Sequence, residues 1–481
     1  MEKFVSFCAC ICFFQSAYAQ LEASQWYFGE YAGLDFRNDT LSALTVGALS
    51  TFEGSASICD QEGNLLFYTD GVTVYNRIHE PMPNGKNLWG SYTTTQTLIA
   101  PKPGDASVYY IFTASPQFDY LFGQNADSVG LHYSVVDMKL SGGLGDLVQK
   151  NKLLLKNSTE KMTAVHHRNG HYVWLVVHEW GNNIFRSYII DNNGIDLNPV
   201  ISAQGEVHTG GGEPQVNNSN AMAQMKLSPD GTKLANVIFA NRTIEFFEFD
   251  NLSGEVTTLI DRQNGIGNSI LRHYGIEFSP NGKFAYFPVS LDFCGFNDPD
   301  NPTELWQYSF ENKYAVKVGE YVGTLNAMQL APDGKIYVAS CNDIAGESGF
   351  AAVIHQPNRK GVDCGFESRA VDLQRGRNRI GLPNFIQSYF LFPDPVVDMP
   401  NVFTPNGDPY NPVFMPIVYD HLLEAHMKII NRWGQEVYST SDVTSGWDGD
   451  QTPAGVYYWL LQYEGKNGKT GTMKGYVHLL R

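Results

Sequence analysis

Short apolar runs and turn-forming residues alternate along most of this 481-residue chain. The runs are of strand length and rich in Val, Ile, Phe and Tyr, and Gly, Pro, Asn or Asp separate them. This pattern predicts many short β-strands joined by tight turns. The composition agrees, since 46 glycines, 13% aromatic and only 17% charged residues fit a turn-rich β protein better than a helical one.

One turn recurs at a fixed spacing. The segments K-L-S-P-D-G at 226–231, E-F-S-P-N-G at 277–282 and Q-L-A-P-D-G at 329–334 place their prolines 51 and 52 residues apart (280 − 229 and 332 − 280). Pro presets the backbone for such a turn, and Gly supplies a positive φ without steric cost. Because an apolar run precedes and follows each turn, each segment predicts a β-hairpin, and the fixed period indicates repeated supersecondary units.

Weaker hairpins of the same form lie upstream, at 59–68, 101–112 and 167–176. Third strands are predicted at 131–136, 185–190, 243–249 and 304–310, and fourth strands at 256–260 and 314–322. Four strands in a unit of about 50 residues form the blade of a β-propeller. The three best hairpins also resemble the repeats of YVTN-type and WD40-like propellers.

A propeller must join its first blade to its last. The run 384–392 has no later partner strands, and the runs 26–28 and 34–36 have no hairpin of their own, so we expect them to pair in one blade. We therefore predict an all-β chain with a seven-bladed β-propeller at 20–392, six or eight blades being the alternatives. Pro393, Pro395 and Pro400 make 393–401 a stiff linker that holds the following domain clear of the propeller.

The segment after the linker carries several separated motifs: P-N-V-F-T-P-N-G-D at 400–408, N-R-W-G at 431–434, W-D-G at 447–449 and P-A-G at 453–455. In this order they resemble the type B, gliding-motility-associated C-terminal sorting domain of proteins exported by type IX secretion. The family usually follows N-G-D with Gly and an Asn-Asp pair. Here residues 409–412 read P-Y-N-P, which argues against a cation at this loop. The resemblance marks these sorting-domain residues: Asn406, Gly407, Asp408, Asn431, Arg432, Trp433, Gly434, Trp447, Asp448, Gly449, Gly455, Lys474, Gly475 and Arg481.

The residues of this segment, 402–481, independently predict a small Ig-like β-sandwich, because strand runs at 427–430, 436–438, 456–463 and 472–480 alternate with turns. The alternative is an ordinary Ig-like module without an address function. Since the motif residues are scattered through strands and turns, we expect a sorting domain to be recognised as a folded unit and not as a linear tag.

The N-terminus fits export. Lys3 precedes an apolar run at 4–14 and A-Y-A at 17–19, which predicts a signal peptide at 1–19 cleaved between Ala19 and Gln20. The run is too short for a membrane-spanning helix, and we expect no transmembrane segment in the mature chain. With the resemblance, this implies passage through the periplasm of a Gram-negative bacterium to its outer surface or the medium, with the type IX machinery as a partner.

Charge and cysteine content limit the partners and the crosslinks. A net charge of −17 without basic clusters argues against nucleic acid and anionic lipid surfaces. Four cysteines follow the predicted cleavage site, and they allow three pairings: Cys59, Cys294, Cys341 and Cys364. One or two disulfides fit an oxidising compartment, and buried unpaired thiols are an equal alternative.

No linear catalytic motif is present, so no catalytic or cofactor-binding residue is predicted. One hairpin carries four histidines, but alternation along strands sends them to opposite faces, which favours hydrogen-bonded histidines over a metal site: His166, His167, His171 and His178. Oxygen ligands that suit Ca²⁺ cluster at 291–304, although their spacing matches no calcium loop and a solvated acidic loop is favoured: Asp292, Asp298, Asp300 and Glu304.

Two functional classes fit these observations. The first is a non-catalytic secreted or surface protein whose long propeller loops bind a glycan or protein, for example in adhesion. The second is an exported propeller enzyme, such as a polysaccharide or lactone hydrolase or lyase. The missing motifs favour the first class. Two carboxylates within catalytic reach in the central funnel, or a metal there, would favour the second.

Overall fold

The structure, a computed structural model, describes residues 21–481 apart from 39, 92–95, 116–128, 212–217, 269–271, 291–299, 343–346, 409 and 451. The predicted cleavage site Ala19–Gln20 lies outside the described residues. Within them, β-strands dominate, and the helices are short 3-10 turns: Leu21–Ala23, Ser141–Gly143, Ser219–Ala221, Glu347–Gly349, Gly361–Cys364 and Gln387–Phe390.

The body of the chain forms small antiparallel sheets that follow one another along the sequence. Their strands are β1 Gln25–Phe28, β2 Ala32–Asp35, β3 Ser42–Ala43, β4 Ala56–Cys59, β5 Leu65–Thr69, β6 Val74–Asn76, β7 Thr97–Lys102, β8 Asp105–Ala114, β9 Leu131–Asp137, β10 Asp146–Leu155, β11 Ser158–His166, β12 Val173–Glu179, β13 Ile184–Asp191, β14 Gly194–Ile195, β15 Val200–Ala203, β16 Met225–Leu227, β17 Lys233–Ile238, β18 Thr243–Asp250, β19 Glu255–Asn264, β20 Arg272–His273, β21 Glu277–Phe278, β22 Phe284–Ser290, β23 Thr303–Ser309, β24 Tyr314–Tyr321, β25 Thr324–Leu330, β26 Ile336–Cys341, β27 Phe350–Ile354 and β28 Phe366–Asp372.

In the described part of the body these strands group into seven sheets: β1–β3, β4–β6, β7–β10, β11–β15, β16–β19, β20–β24 and β25–β28. Successive sheets pack against one another, as β11 does on β16 and β22 on β25. The last sheet meets the first where the rings of Trp26 and Tyr337 lie 5.6 Å apart, centroid to centroid. This arrangement is the predicted seven-bladed propeller.

The recurring turns adopt the predicted hairpin geometry. In the first of them, Gly231 N donates to Ser228 O (2.8 Å) and Ser228 N donates to Lys233 O (2.9 Å). The φ angles of Gly231, Gly282 and Gly334 are +64°, +62° and +80°. A side chain would be strained at these angles, which is why the repeat carries glycine there. The three weaker upstream hairpins are also confirmed.

The predicted closure of the ring is wrong in its details. β1 and β2 pair with one another, and residues 384–392 form no strand. The two ends of the propeller chain meet at an antiparallel bridge, in which Glu30 and Arg377 exchange two backbone hydrogen bonds of 2.9 Å. From there, residues 377–390, which we call the channel segment, run through the middle of the ring.

The innermost strands of several blades bury the channel segment. Ile380 N donates to Phe52 O and Asn384 N to Ser55 O, both at 3.0 Å, beside β4. On other sides of the channel, Ala327 N donates to Ile380 O (3.0 Å) and His166 N to Ser388 Oγ (2.9 Å). The side chains of Ile380, Ile386 and Phe390 are fully buried. The apolar run is therefore shielded from solvent because it fills the channel, without forming a β-strand.

The two ends of the propeller differ in their connections. Antiparallel strands alternate in direction. The turns between first and second strands and those between third and fourth strands therefore lie at the same end of the propeller, which we call the turn end. The other connections lie at the opposite end, the loop end. Three long connections leave and re-enter the blades at the loop end. They follow β8 after Ala114, β15 after Ala203 and β22 after Ser290.

The C-terminal domain is a two-sheet, sandwich-like unit. One sheet has five strands in the order β30-β35-β34-β32-β33, antiparallel except for the β30–β35 pair, and the other pairs β29 with β31. The strands are β29 Val396–Asp398, β30 Val402–Phe403, β31 Val418–Asp420, β32 Leu422–Ile430, β33 Glu436–Thr440, β34 Gly455–Gly465 and β35 Thr470–Leu479. The four strands predicted for this segment are confirmed, and β29 lies inside the predicted linker.

The C-terminal domain rests on the turn end of the propeller, and the linker does not hold it clear as expected. Arg359 lies 2.7 Å from Glu464, whose side chain is 9% exposed. The turn between β34 and β35 contacts the propeller through Lys466 O, which accepts from Asn358 Nδ2 (3.3 Å). Lys469 Nζ lies 2.7 Å from Asp394. Polar contacts thus orient the domain on the propeller.

Candidate functional site

The W-D-G tryptophan is a core residue of the C-terminal domain. Trp447 is 2% exposed, and its ring centroid lies 5.2 Å from that of Phe403 and 4.9 Å from that of Tyr457. Its backbone exchanges two hydrogen bonds with Phe414. The motif therefore fixes the loop around Phe414 onto the five-stranded sheet.

Two motif glycines are also explained by packing. A Cβ on Gly475 would lie 2.6 Å from the indole of Trp459, so the strand needs glycine where the ring crosses it. Gly449 has φ +72°, and a Cβ there would lie 3.1 Å from both Phe403 and Leu479. Arg481 completes this corner, because its Nη2 donates to Gly449 O (2.7 Å).

The N-R-W-G turn presents its central side chains to solvent. Asn431 Oδ1 accepts from Trp433 N and Gln435 N, both at 3.0 Å, and Gly434 has φ +84°. Trp433 is 73% exposed, and the guanidinium of Arg432 lies 3.9 Å from its ring centroid. Lys474 is likewise exposed. The structure therefore separates the motif residues into a buried set and an exposed set.

The N-G-D loop forms an internally bonded turn. Asp408 N donates to Asn406 Oδ1 (3.0 Å), and Asn406 Nδ2 donates to Asp408 Oδ2 (2.8 Å). Asp408 Oδ1 also accepts from Tyr410 N (2.8 Å). In the W-D-G turn, Asp448 similarly accepts from Asp450 N (2.9 Å). These carboxylates stabilise turns.

A buried polar cluster lies beneath the loop end, between the blades formed by β11–β15 and β16–β19. The ring centroids of His178 and His208 are 3.8 Å apart. His208 Nε2 accepts from Asn236 Nδ2 (3.2 Å), while His178 Nδ1 donates to Glu179 O (2.6 Å). Lys161 Nζ donates to Asn220 O (3.1 Å) at the end of the glycine-rich connection. The cluster therefore ties this loop to two blades.

Burial controls the protonation of this cluster. It lowers the pKa of His178 to about 3 and that of Lys161 to about 7, and it holds the pKa of His208 well below its usual value. Within the described residues, His178 Nε2 and Asn236 Oδ1 have no hydrogen-bond partner. Both imidazoles are consequently neutral at physiological pH.

The four histidines of the hairpin at 166–178 do not come together in one group. His166 lies at the turn end, where its Nδ1 is 2.8 Å from Ser388 Oγ, whereas His178 lies near the loop end of the same hairpin. The actual neighbour of His178 is His208, which sequence reasoning missed. No linear pattern could have revealed it, because His208 lies in a long connection thirty residues away (208 − 178).

The channel holds a buried ion pair. Lys226 Nζ lies 3.5 Å from Glu277 Oε2 and donates to Gln329 Oε1 (2.5 Å) and to Asn384 Oδ1 (3.3 Å). Glu277 also accepts from Leu330 N (3.0 Å). Lys226, Glu277 and Gln329 open the three recurring segments, so the repeat places them at equivalent points around the channel. Burial raises the pKa of Glu277 and lowers that of Lys226, and the attraction of the pair opposes both shifts.

Comparison with known families identifies the C-terminal domain. Residues 397–479 match the family described as CHU_C Type IX secretion signal domain. This domain is a type IX secretion signal. The matched range covers the β29–β31 sheet together with the five-stranded sheet, so the two-sheet unit above is the sorting domain.

Solved structures similar to the chain include several propellers of low identity. A putative 6-phosphogluconolactonase from Bacteroides uniformis ATCC 8492 is 13% identical, with coverage of 74% of this chain and 97% of its own and a TM-score of 0.43. The periplasmic gluconolactonase of Pseudomonas aeruginosa is 10% identical, with coverage of 95% and 96% and a TM-score of 0.37. The Cps50 (Swd1) beta-propeller domain of Myceliophteria thermophila is 11% identical, with coverage of 66% and 94% and a TM-score of 0.38. Similarity at this level carries no information about activity. No curated protein matches the chain.

The acidic loop is only partly described. Asp292 and Asp298 lie outside the described residues, as does Cys294. Glu304 lies on β23, where its Oε2 accepts from Trp306 Nε1 (3.0 Å) and its Oε1 is 3.8 Å from Lys317 Nζ. Among the residues that the structure describes, no three His, Cys, Asp or Glu side chains are grouped to hold a metal ion. The described residues therefore leave open both the favoured solvated acidic loop and the weaker alternative of Ca²⁺ binding by Asp292, Asp298, Asp300 and Glu304.

Two of the cysteines are free thiols. Cys59 and Cys364 are buried and unpaired, and burial raises the pKa of Cys59 to about 12 and that of Cys364 to about 11. Cys341 is disulfide-bonded. In the described part of the chain, no helix is long and apolar enough to span a membrane.

Proposed function

We propose that the chain is an exported binding protein, which the sorting domain carries to the cell surface or the medium and whose propeller binds a glycan or protein ligand at its loop end. The match of residues 397–479 to the type IX secretion signal domain carries this proposal. The predicted signal peptide at 1–19 supplies the first export step.

The filled channel supports binding over catalysis in a central funnel. Glu277 is fully buried in its ion pair with Lys226, and Glu53 is 4% exposed and accepts from Tyr274 Oη (2.9 Å). The channel segment packs against these groups and occupies the space that a substrate would need. Carboxylates held this way act as structural groups.

The relative position of the two domains supports the loop end as the ligand surface. The sorting domain contacts the turn end, through Asn358 and Arg359. The long connections leave the blades at the opposite end, so a ligand bound at that end would not compete with the sorting domain. Rigid propellers with long loops at one end commonly bind through those loops.

Export is tested by fractionation in a bacterium with an active type IX system. We expect the full chain outside the cell and a chain lacking 396–481 in the periplasm, still folded as a propeller. A reporter with its own signal peptide, fused to 396–481, should follow the full chain. Normal export of the truncated chain would refute the proposal.

Ligand binding is tested with the secreted protein on a glycan array, together with a polysaccharide and lactone hydrolysis screen. We expect binding without turnover. A matched variant in which 205–211 is shortened should lose binding, whereas one altered in the turn 250–254 at the opposite end should keep it. Turnover of any substrate by the purified protein would support the enzyme alternative.

A further inference from the structure

The packing of the sorting domain does not explain its exposed motif residues. Trp447, Gly449 and Gly475 are explained by the core, but the indole of Trp433 is 73% exposed and contacts the guanidinium of Arg432. Single exposed apolar side chains are common on protein surfaces, but a contiguous exposed apolar patch marks an interaction surface.

An apolar strip crosses three strands and begins at Ile430, three residues before Trp433. In the strand register, Ile430 of β32 lies opposite Tyr458 of β34, which lies opposite Tyr476 of β35. Tyr458 and Tyr476 are 52% and 53% exposed, and Val456, two residues before Tyr458 and on the same face, is 40% exposed. We call Ile430, Trp433, Val456, Tyr458 and Tyr476 the outer face of the sorting domain.

The outer face is separated from the propeller. β34 ends at Gly465, in the turn that contacts the propeller, and Tyr458 precedes it by seven residues (465 − 458). At roughly 3.4 Å per residue, the tyrosines lie about 24 Å from that contact. The docked sorting domain therefore leaves the outer face free in the described structure.

The charges around the outer face are mainly basic, although the whole chain carries −17. Lys474 lies beside Tyr476 on β35, and Arg432 stacks on Trp433. Lys428 lies on the same face and pairs with Glu436 at 3.1 Å. An apolar strip with a basic border is complementary to a protein surface with an apolar centre and an acidic border.

We propose that the outer face is the surface through which the type IX machinery binds the folded sorting domain, with a component whose contact surface is apolar with an acidic border. The inference rests on the proposed export function. It assigns Trp433, Tyr458 and Tyr476 as the central contacts, because exposed aromatic residues dominate binding energy in such interfaces. Lys474 and Arg432 contribute complementary charge.

The test compares full-length variants in a host with an active type IX system. Tyr458→Thr with Tyr476→Thr, and separately Trp433→Ser, should reduce the exported fraction by at least about tenfold. Threonine keeps β-propensity, so the melting temperature of the purified variants should match that of the parent. Tyr419→Thr is the control, because Tyr419 is 43% exposed on β31 in the other sheet and should not affect export.

The outcomes separate this proposal from the export function. Normal export of the outer-face variants, with the chain lacking 396–481 still retained, would overturn the docking surface and leave the export function standing. A photo-reactive phenylalanine at position 476 should crosslink to a protein component of the type IX machinery, whereas the same group at 419 should not. Equal crosslinking at both positions, or an adduct of glycan or lipid only, would overturn the proposal.

Discussion

Lys226 and Glu277 show how single residues can join blades that are distant in sequence. Each side chain is fully buried, and together they contact Gln329 and Leu330 of one strand and Asn384 of the channel segment. A buried pair gains little net stability over an apolar pair, because desolvation offsets the attraction. Removing one partner, however, leaves a charge without compensation.

We expect Lys226→Met to lower the free energy of unfolding by about 3–5 kcal/mol, since it leaves the Glu277 carboxylate buried and unpaired. The double variant Lys226→Met with Glu277→Gln should recover much of this loss. Lys139→Met is the control, because its pair with Asp105 is exposed to solvent and contributes little to stability. Denaturant unfolding checks all three, and equal losses in the single and double variants would contradict the pairing argument.

The neutral histidines beneath the loop end make stability depend on pH. An unfolded histidine titrates near its ordinary value of 6.5, whereas His178 is held neutral in the fold down to about 3. Between these values the unfolded chain binds more protons, so stability decreases as pH falls from about 6.5 towards 3. His208→Gln should flatten this dependence in melting temperature against pH. The exposed His171→Gln should retain the full slope, and a slope unchanged in His208→Gln would contradict the assignment.

The role of a single residue could be predicted from the sequence when its interaction partners are close in the chain, and not when they are distant. The glycines at 231, 282 and 334 were predictable because a tight turn is a local event and requires a positive φ. The contact of His178 with His208 was not predictable, because a connection without periodicity brings the second ring into place. The sorting motifs were recognisable in the sequence, but only the packing shows that Trp447 is buried and Trp433 exposed.

Among the elements, the channel segment departs most from expectation. Its apolar residues have the composition of a strand, and a strand needs a neighbouring edge for its backbone groups. The ring offers scattered acceptors instead, such as Phe52 O and Ser55 O. Local sequence describes the apolar run but not the shape of the space that receives it. Elements defined by hairpins were therefore predictable, whereas the element defined by the assembled ring was not.

The fit of the channel segment is tested at Gly381. A Cβ there would lie 1.8 Å from Glu53 O, so Gly381→Ala forces the backbone to move. We expect a loss of about 1–3 kcal/mol in the free energy of unfolding. Gly349→Ala is the matched control, because nothing lies within 4 Å of a Cβ at that glycine. Equal thermal midpoints for the two variants would show that the segment is loosely held.

At the scale of the whole molecule, polar contacts and not a shared apolar core join the propeller and the sorting domain. Arg359 lies near both Glu464 and Glu424, at 2.7 and 3.5 Å. The apolar cores of the two domains are separate clusters. Each domain can therefore fold around its own core, while a few charges set their relative orientation.

We expect Arg359→Glu to release the sorting domain from the turn end, because it places a third negative charge beside Glu424 and Glu464. Small-angle scattering should show a larger radius of gyration, and protease should cut faster within 393–401. Arg375→Glu, at an exposed arginine of the propeller, is the control and should behave like the parent. Both variants should melt near the parent temperature, and an unchanged radius for Arg359→Glu would contradict electrostatic docking.

The position of the channel segment has a consequence for biosynthesis. A ribosome makes residues 377–390 after all seven sheets of the propeller and directly before the sorting domain. A chain interrupted before residue 377 therefore lacks both the residues that fill its channel and the export address that follows them. Any chain that carries the complete address has already received the segment that completes its ring. The order of the segments along the chain thus ensures that the export address is synthesised only after the residues that complete the propeller.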